Sequence, residues 1–122
     1  MKLLSLFIIS ISIAFCSCAS LKHGTSKEEA KEYIQKYVIK NDTSNYKGKL
    51  ISKRKALHIA KQKVYETFGN NDICRNEKPF KKYFIGNYLY LSGTKWKISK
   101  GGLFWIVIDR RNGEIKSLGH GK

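Results

Sequence analysis

Acidic residues are scarce in this chain: 9 Asp and Glu stand against 24 Lys and Arg in 122 residues, a formal net charge of +15 with His neutral. A partner held by charge must therefore be anionic. Cysteine occurs three times, twice within the first 18 residues, which leaves Cys74 alone in the body and excludes a disulfide framework. Proline occurs once, at Pro79, and hydrophobic residues make up 42%, a composition that excludes a disordered tail and matches one domain held by its core. Repeats and low-complexity stretches are missing. So are HExxH and CxxC spacings, and the three histidines have no partner four residues away, so no metal site is expected.

The one long apolar run, Leu3 to Phe15, is broken only by serines, follows Lys2 and gives way to small residues, as in a secretory signal peptide. It is shorter than the roughly 20 residues a membrane span needs. Its end, Phe15-Cys16-Ser17-Cys18, resembles a lipoprotein lipobox, which makes Cys18 the expected lipidation site and residues 1–17 the leader. Ser17 and Ala19 also satisfy the small-x-small rule for ordinary cleavage, which would release a soluble chain from Ser20. Both routes place the domain outside the cytoplasm, lipid-anchored in the cell envelope or soluble in the periplasm or beyond. Export argues against nucleic acid as the partner. It leaves phospholipid head groups, acidic glycans and acidic proteins, with lysines that merely solubilise as the plainer alternative. A lipid chain beside a basic face is also a two-signal membrane attachment.

After a tether over residues 18–25, Ser26-Lys27-Glu28-Glu29 is a capping box, and Ala30, Tyr33, Ile34, Tyr37 and Val38 follow as one apolar helical stripe ending near Lys40. Residues Asn41 to Asn45 form a turn cluster. Ser52 caps a second helix, with Ala56, Ile59, Ala60, Val64 and Phe68 facing inward and Gly69 as its stop. Its first turn, Lys53-Arg54-Lys55, puts three cations where the helix dipole favours acids, a mild pointer to a surface role. From Ile73 the period becomes two: strands are expected over Phe80 to Ile85, Tyr88 to Leu91, Leu103 to Ile108 and Glu114 to Leu118, with Gly86-Asn87 and Asn112-Gly113 as hairpin turns. The reading is α+β: residues 26–122 as a single domain, two N-terminal helices packed on one face of a four-stranded antiparallel meander.

The order of these features resembles a family of small immunity proteins of bacterial polymorphic toxin systems. It runs from the helix Ala56 to Phe68, through Lys78-Pro79-Phe80, a hairpin, Gly101-Gly102 and the strand ending Ile106-Val107-Ile108-Asp109, to Asn112-Gly113-Glu114-Ile115 and Gly119-His120-Gly121-Lys122. The similarity covers residues 52–122 and implies a nuclear-transport-factor-two-like, or cystatin-like, fold. It also implies a toxin as protein partner, neutralised by occlusion without catalysis or cofactor. Pro79, Gly101, Gly102, Asp109, Gly113, Gly119, His120 and Gly121 carry the motif. A second resemblance, to exported PepSY-type domains proposed to inhibit proteases, rests on the same meander with Ile-Asp and Asn-Gly-Glu-Ile.

Candidates for catalysis are few. Cys74 has no flanking hydrolase pattern, His58 sits mid-helix, and Asp109 before Arg110-Arg111-Asn112-Gly113 is most simply a turn carboxylate. Gly101-Gly102 precedes a strand and offers no helix N-terminus to a phosphate. Tyr83, Tyr88, Tyr90, Trp96 and Trp105 interleave with lysines, either as a stacking surface or, by strand alternation, partly as core. The expected partner-binding residues are Trp96 with Lys95, Lys97 and Lys100 in a cationic loop, and His120, set between two glycines.

Overall fold

The computed structural model describes residues 22–40, 46–70, 73, 76–96 and 102–121. The leader with Cys18, the turn over 41–45, Cys74, Lys97, Lys100, Gly101 and Lys122 lie outside these described residues. Strand β1 (Lys22–Gly24) falls inside the segment expected as a tether. Helix α1 (Lys27–Tyr33) follows, and the capping box forms: the Glu29 backbone N–H donates to Ser26 Oγ at 3.2 Å, and the Ser26 N–H to the Glu29 carboxylate at 3.4 Å. The helix then widens to a π turn over Ile34–Val38, where the Ile39 N–H donates to the Ile34 carbonyl five residues back at 2.9 Å. That extra residue rotates the stripe. Val38 and Ile39 pack inward, whereas Tyr37, expected in the stripe, is 63% exposed.

Helix α2 (Lys53–Phe68) is capped by Ser52, whose hydroxyl accepts from the Lys55 N–H, and stops at Gly69 with φ 90°. Four strands then form one antiparallel sheet in the order β2-β3-β5-β6: β2 (Lys81–Ile85), β3 (Tyr88–Ser92), β5 (Phe104–Asp109) and β6 (Ile115–His120). Strand β4 (Thr94–Trp96) leaves β3 after Gly93 and pairs with β1 as a separate two-stranded sheet.

The two helices do not share a face of the sheet. Ala56, Ala60 and Val64 of α2 pack with Leu89, Leu91, Ile106 and Ile108, whereas Ala30 and Ile34 pack with Tyr88, Tyr90 and Val107. Successive strand residues point to opposite faces, so α1 and α2 enclose the sheet between them. All five residues of β3 are buried for that reason, and the expectation of helices on a single face is corrected. The α1 face is where the aromatics went. Tyr33 stacks edge-on to Tyr90 with centroids 5.8 Å apart, its hydroxyl lies 2.6 Å from Ser117 Oγ, and Trp105 Nε1 donates to the same oxygen at 3.1 Å. Tyr83, Tyr88, Tyr90 and Trp105 thus form a covered core cluster with α1, not an open stacking surface. Burial, with Glu28 and Glu29 nearby, pushes the Tyr83 phenol above its ordinary value, and burial does the same at Tyr90.

Candidate functional site

The turn between β5 and β6 is built on a buried carboxylate. Asp109 Oδ1 accepts from the Arg111 backbone N–H and from its Nε, both at 2.9 Å, and Oδ2 accepts from Nη2 at 2.7 Å. Burial alone would raise the Asp109 carboxyl, but these bonds and the Arg111 charge outweigh it and hold the group below its ordinary value. Arg111 also donates to the Tyr88 hydroxyl at 3.0 Å, and the neighbouring Arg110 donates from Nε to the Ile51 carbonyl at 3.0 Å. This corner ties β3, β5 and the approach to α2 together around Gly113, whose φ is 78°. Asp109 is a structural turn carboxylate, and its bonds are all internal.

At the opposite end of β5 the second buried acid is Glu77, 7% exposed. Its Oε1 accepts the Phe104 N–H at 2.8 Å and its Oε2 lies 2.9 Å from His120 Nε2. His120 Nδ1 lies 3.0 Å from the Gly121 carbonyl, so both ring nitrogens face oxygen atoms. The ring also rests 5.6 Å from that of Phe68. His120 is therefore engaged at the end of β6, its side chain 36% exposed. Of the flanking glycines, Gly119 has an architectural cause. A Cβ on Gly119 would collide with the Trp105 ring, and one on Gly102 with the backbone of Gly121. The motif residues Gly102, Asp109, Gly113, Gly119, His120 and Gly121 thus close the ends of the two C-terminal strands.

Trp96 ends β4 with 46% of its surface exposed, and Lys22, its register partner on β1, sets its ammonium 5.4 Å from the ring centroid. Lys22 Nζ donates to the carbonyls of Asn76 and Lys78, and Thr94 Oγ1 donates to the Pro79 carbonyl at 2.7 Å. Lys95 is half-buried beside them. The segment 76–79 is the common support: Trp96 is tied to it through Lys22, and His120 through Glu77.

Next to that segment lies a groove of about 210 Å³, lined by Leu57, Lys61, Lys78, Pro79, Phe80, Lys82 and Leu91. Its size falls below the roughly 300 Å³ at which small-molecule pockets begin. Sequence reading passed over this groove and over Glu77. The groove was legible only as two separate pairs, Leu57 and Lys61 at helical spacing and Phe80 and Lys82 at strand spacing. Nothing in a lone Glu between Asn76 and Lys78 announces burial. Among the described residues no group of three or more His, Cys, Asp or Glu is placed to hold a metal ion, and no helix is long and apolar enough to cross a membrane.

A family model described as NTF2 fold immunity protein matches residues 55–122, more than half of the chain, from the first turn of α2 onward. No curated protein and no solved structure matches the chain.

Proposed function

The chain belongs to the NTF2 fold immunity proteins, and from that premise we propose that it protects its cell by binding a toxin and occluding the toxin's working surface, without chemistry of its own. The observation that carries this reading is the family match over the body of the domain, residues 55–122. The contact surface is basic and partly aromatic: Trp96, Lys95, Lys97 and Lys100, with Lys22 beside the Trp96 ring, facing an acidic toxin surface. The protein works at the cell envelope, exported by the leader of residues 1–17 and held by a lipid on Cys18, where it meets toxin arriving from outside.

The test begins with the DNA flanking the gene. A neighbouring frame ending in a toxin domain supplies the partner, and cells carrying that domain should grow only when this chain is co-expressed. Growth arrest despite co-expression refutes the immunity reading. Reversing Lys95, Lys97 and Lys100 to Glu should slow association with that domain at low salt, and an unchanged on-rate removes the electrostatic part. A Cys18→Ser change should move the protein from the membrane fraction to the soluble one, and an unmoved protein refutes the anchor.

A further inference from the structure

The groove beside β2 has a regular construction. Its helical wall is Leu57 and Lys61, four residues apart and so on one side of α2, a row that Lys53 continues beyond the groove. Its strand wall is Phe80 and Lys82, two apart and so on one face of the sheet, a row that Phe84 continues beyond the groove. Beyond one end of the groove the Lys53 ammonium stands 5.1 Å from the Phe84 ring centroid, with the Arg110 guanidinium 5.3 Å from the same ring. At the other end Lys78 stands 5.9 Å from the Phe80 ring. Cations and apolar groups thus alternate along both walls, and none of the seven residues lining the groove is acidic. The ion pairs found among the described residues use Lys63, Arg111, Lys116 and His120, and none of the groove lysines.

Among the described residues strand β2 is also an edge of the four-stranded sheet, bonded to β3 on one side only. Lysines on an edge strand repel the edges of most other sheets, including that of a second copy of this chain. They do not repel a strand that carries carboxylates. We propose that this groove and the open edge of β2 receive an extended segment of the protein partner that carries carboxylates and apolar side chains in turn along one of its two faces, at every second residue, the face turned toward α2. Its backbone would pair with β2, its carboxylates would meet Lys61, Lys78 and Lys82, and its apolar side chains would rest on Leu57 and Phe80. The groove's volume suits single side chains at each step.

The partner is the toxin of the preceding reading, on which this proposal rests, so the experiment separates the two. The full-length chain is titrated with the toxin domain in three forms: wild type, Lys61→Glu with Lys82→Glu, and Lys27→Glu with Lys31→Glu on α1, which makes the same charge change on the other side of the sheet. The groove variant should bind about tenfold or more weakly while the α1 variant stays close to wild type, and circular dichroism should show all three folded. Equal affinity for all three, or equal weakening in both variants, overturns the groove. In parallel the peptide acetyl-Glu-Thr-Leu-Thr-Glu-amide, whose first, third and fifth side chains share one face of a strand, is titrated into the isotope-labelled chain. Amide shifts should gather at Leu57, Lys61 and Lys78 to Ile85 and should fade near 1 M salt, where the Debye length is about 3 Å. Shifts spread over every lysine-bearing surface, or none, overturn the proposal. Failure of the wild-type chain to bind the toxin counts against the immunity reading, and the peptide then decides the groove by itself.

Discussion

Replacing Glu77 by Ala should be among the more costly single changes in the molecule, and the cost can be apportioned. The carboxylate serves two groups in different surroundings. The Phe104 N–H, 2.8 Å from Oε1, sits on a residue with no exposed surface, so without Glu77 it has no acceptor, and an orphaned buried donor costs about 1–3 kcal/mol. His120 has a side chain 36% exposed, so water takes over the lost bond, and the pair itself contributes about 0–1 kcal/mol. Together these give about 1–4 kcal/mol, which at about 4–8 °C per kcal/mol in a domain of this size lowers the melting midpoint by roughly 4–32 °C. Glu77→Gln keeps an oxygen for Phe104 and loses only the anionic partner of His120, so it should resemble His120→Ala, with a loss near 1 kcal/mol. Thermal melts and urea titrations of the three variants, followed by circular dichroism, measure this order. Equal destabilisation by Glu77→Ala and Glu77→Gln would refute the reasoning, because it would locate the loss at His120 and not at the buried N–H.

The Asp109 carboxyl is held below its ordinary value in the fold, so its contribution is present above the unfolded carboxylate range near pH 4 and is lost as pH falls through the folded value. Asp109→Asn should therefore cost about 1.5–3 kcal/mol at neutral pH and flatten the acid limb of a pH-stability curve; an unchanged acid limb would show that Asp109 does not drive it. Gly119→Ala forces a methyl into the Trp105 ring and should cost about 1–3 kcal/mol with a change in tryptophan emission, which a wild-type spectrum and melt would contradict. Tyr33→Phe removes the hydroxyl that meets Ser117 but leaves the bond from Trp105, so about 0.5–1.5 kcal/mol should be lost, with faster amide exchange in α1 if that helix docks as described.

Local signals in the sequence were strong wherever one residue type has one structural use. Ser26 with Glu29, Ser52 and Gly69 marked helix ends that the fold places there, and Asn112-Gly113 marked its turn. What the sequence could not show was the side of the sheet each helix would take. Period-two alternation identifies a strand, but the run Tyr88 to Ser92 is apolar or neutral on both faces, and only the docking of α1 over Tyr88 and Tyr90 explains why. Trp105, an odd bulk in an apolar run, follows the same logic: it fills the space above Gly119 under α1. The candidate site was less legible. Trp96 was identifiable as an exposed aromatic, but its placement depends on β1, three residues that carry no strand pattern of their own and pair with β4 only in the folded chain. His120 drew notice through its glycines, yet Gly119 answers to the Trp105 ring and the crossing at Gly121 constrains Gly102, and its partner Glu77 lies 43 residues away in sequence.

Enclosing the sheet between two helices also separates charge. Helix α1 carries Lys27 and Lys31 against Glu28, Glu29 and Glu32, whereas α2 carries Lys53, Arg54, Lys55, Lys61 and Lys63 against Glu66 alone. The excess of cations is thus concentrated on the α2 side, where the β2 groove opens, and the three cations in the first turn of α2 add to the positive end of that helix's dipole. Such an arrangement costs a little helix stability, and a chain needing only solubility would gain as much from cations spread evenly over both faces. An acidic partner approaching this domain is turned toward the α2 face before any contact forms, which raises the rate of productive encounters without altering the contacts themselves. Net charge reports that a partner is anionic. The asymmetry between α1 and α2 says which face it meets, and it is why charge reversal on α2 and on α1, identical in net charge, should separate in on-rate at low salt and converge as salt screens the field.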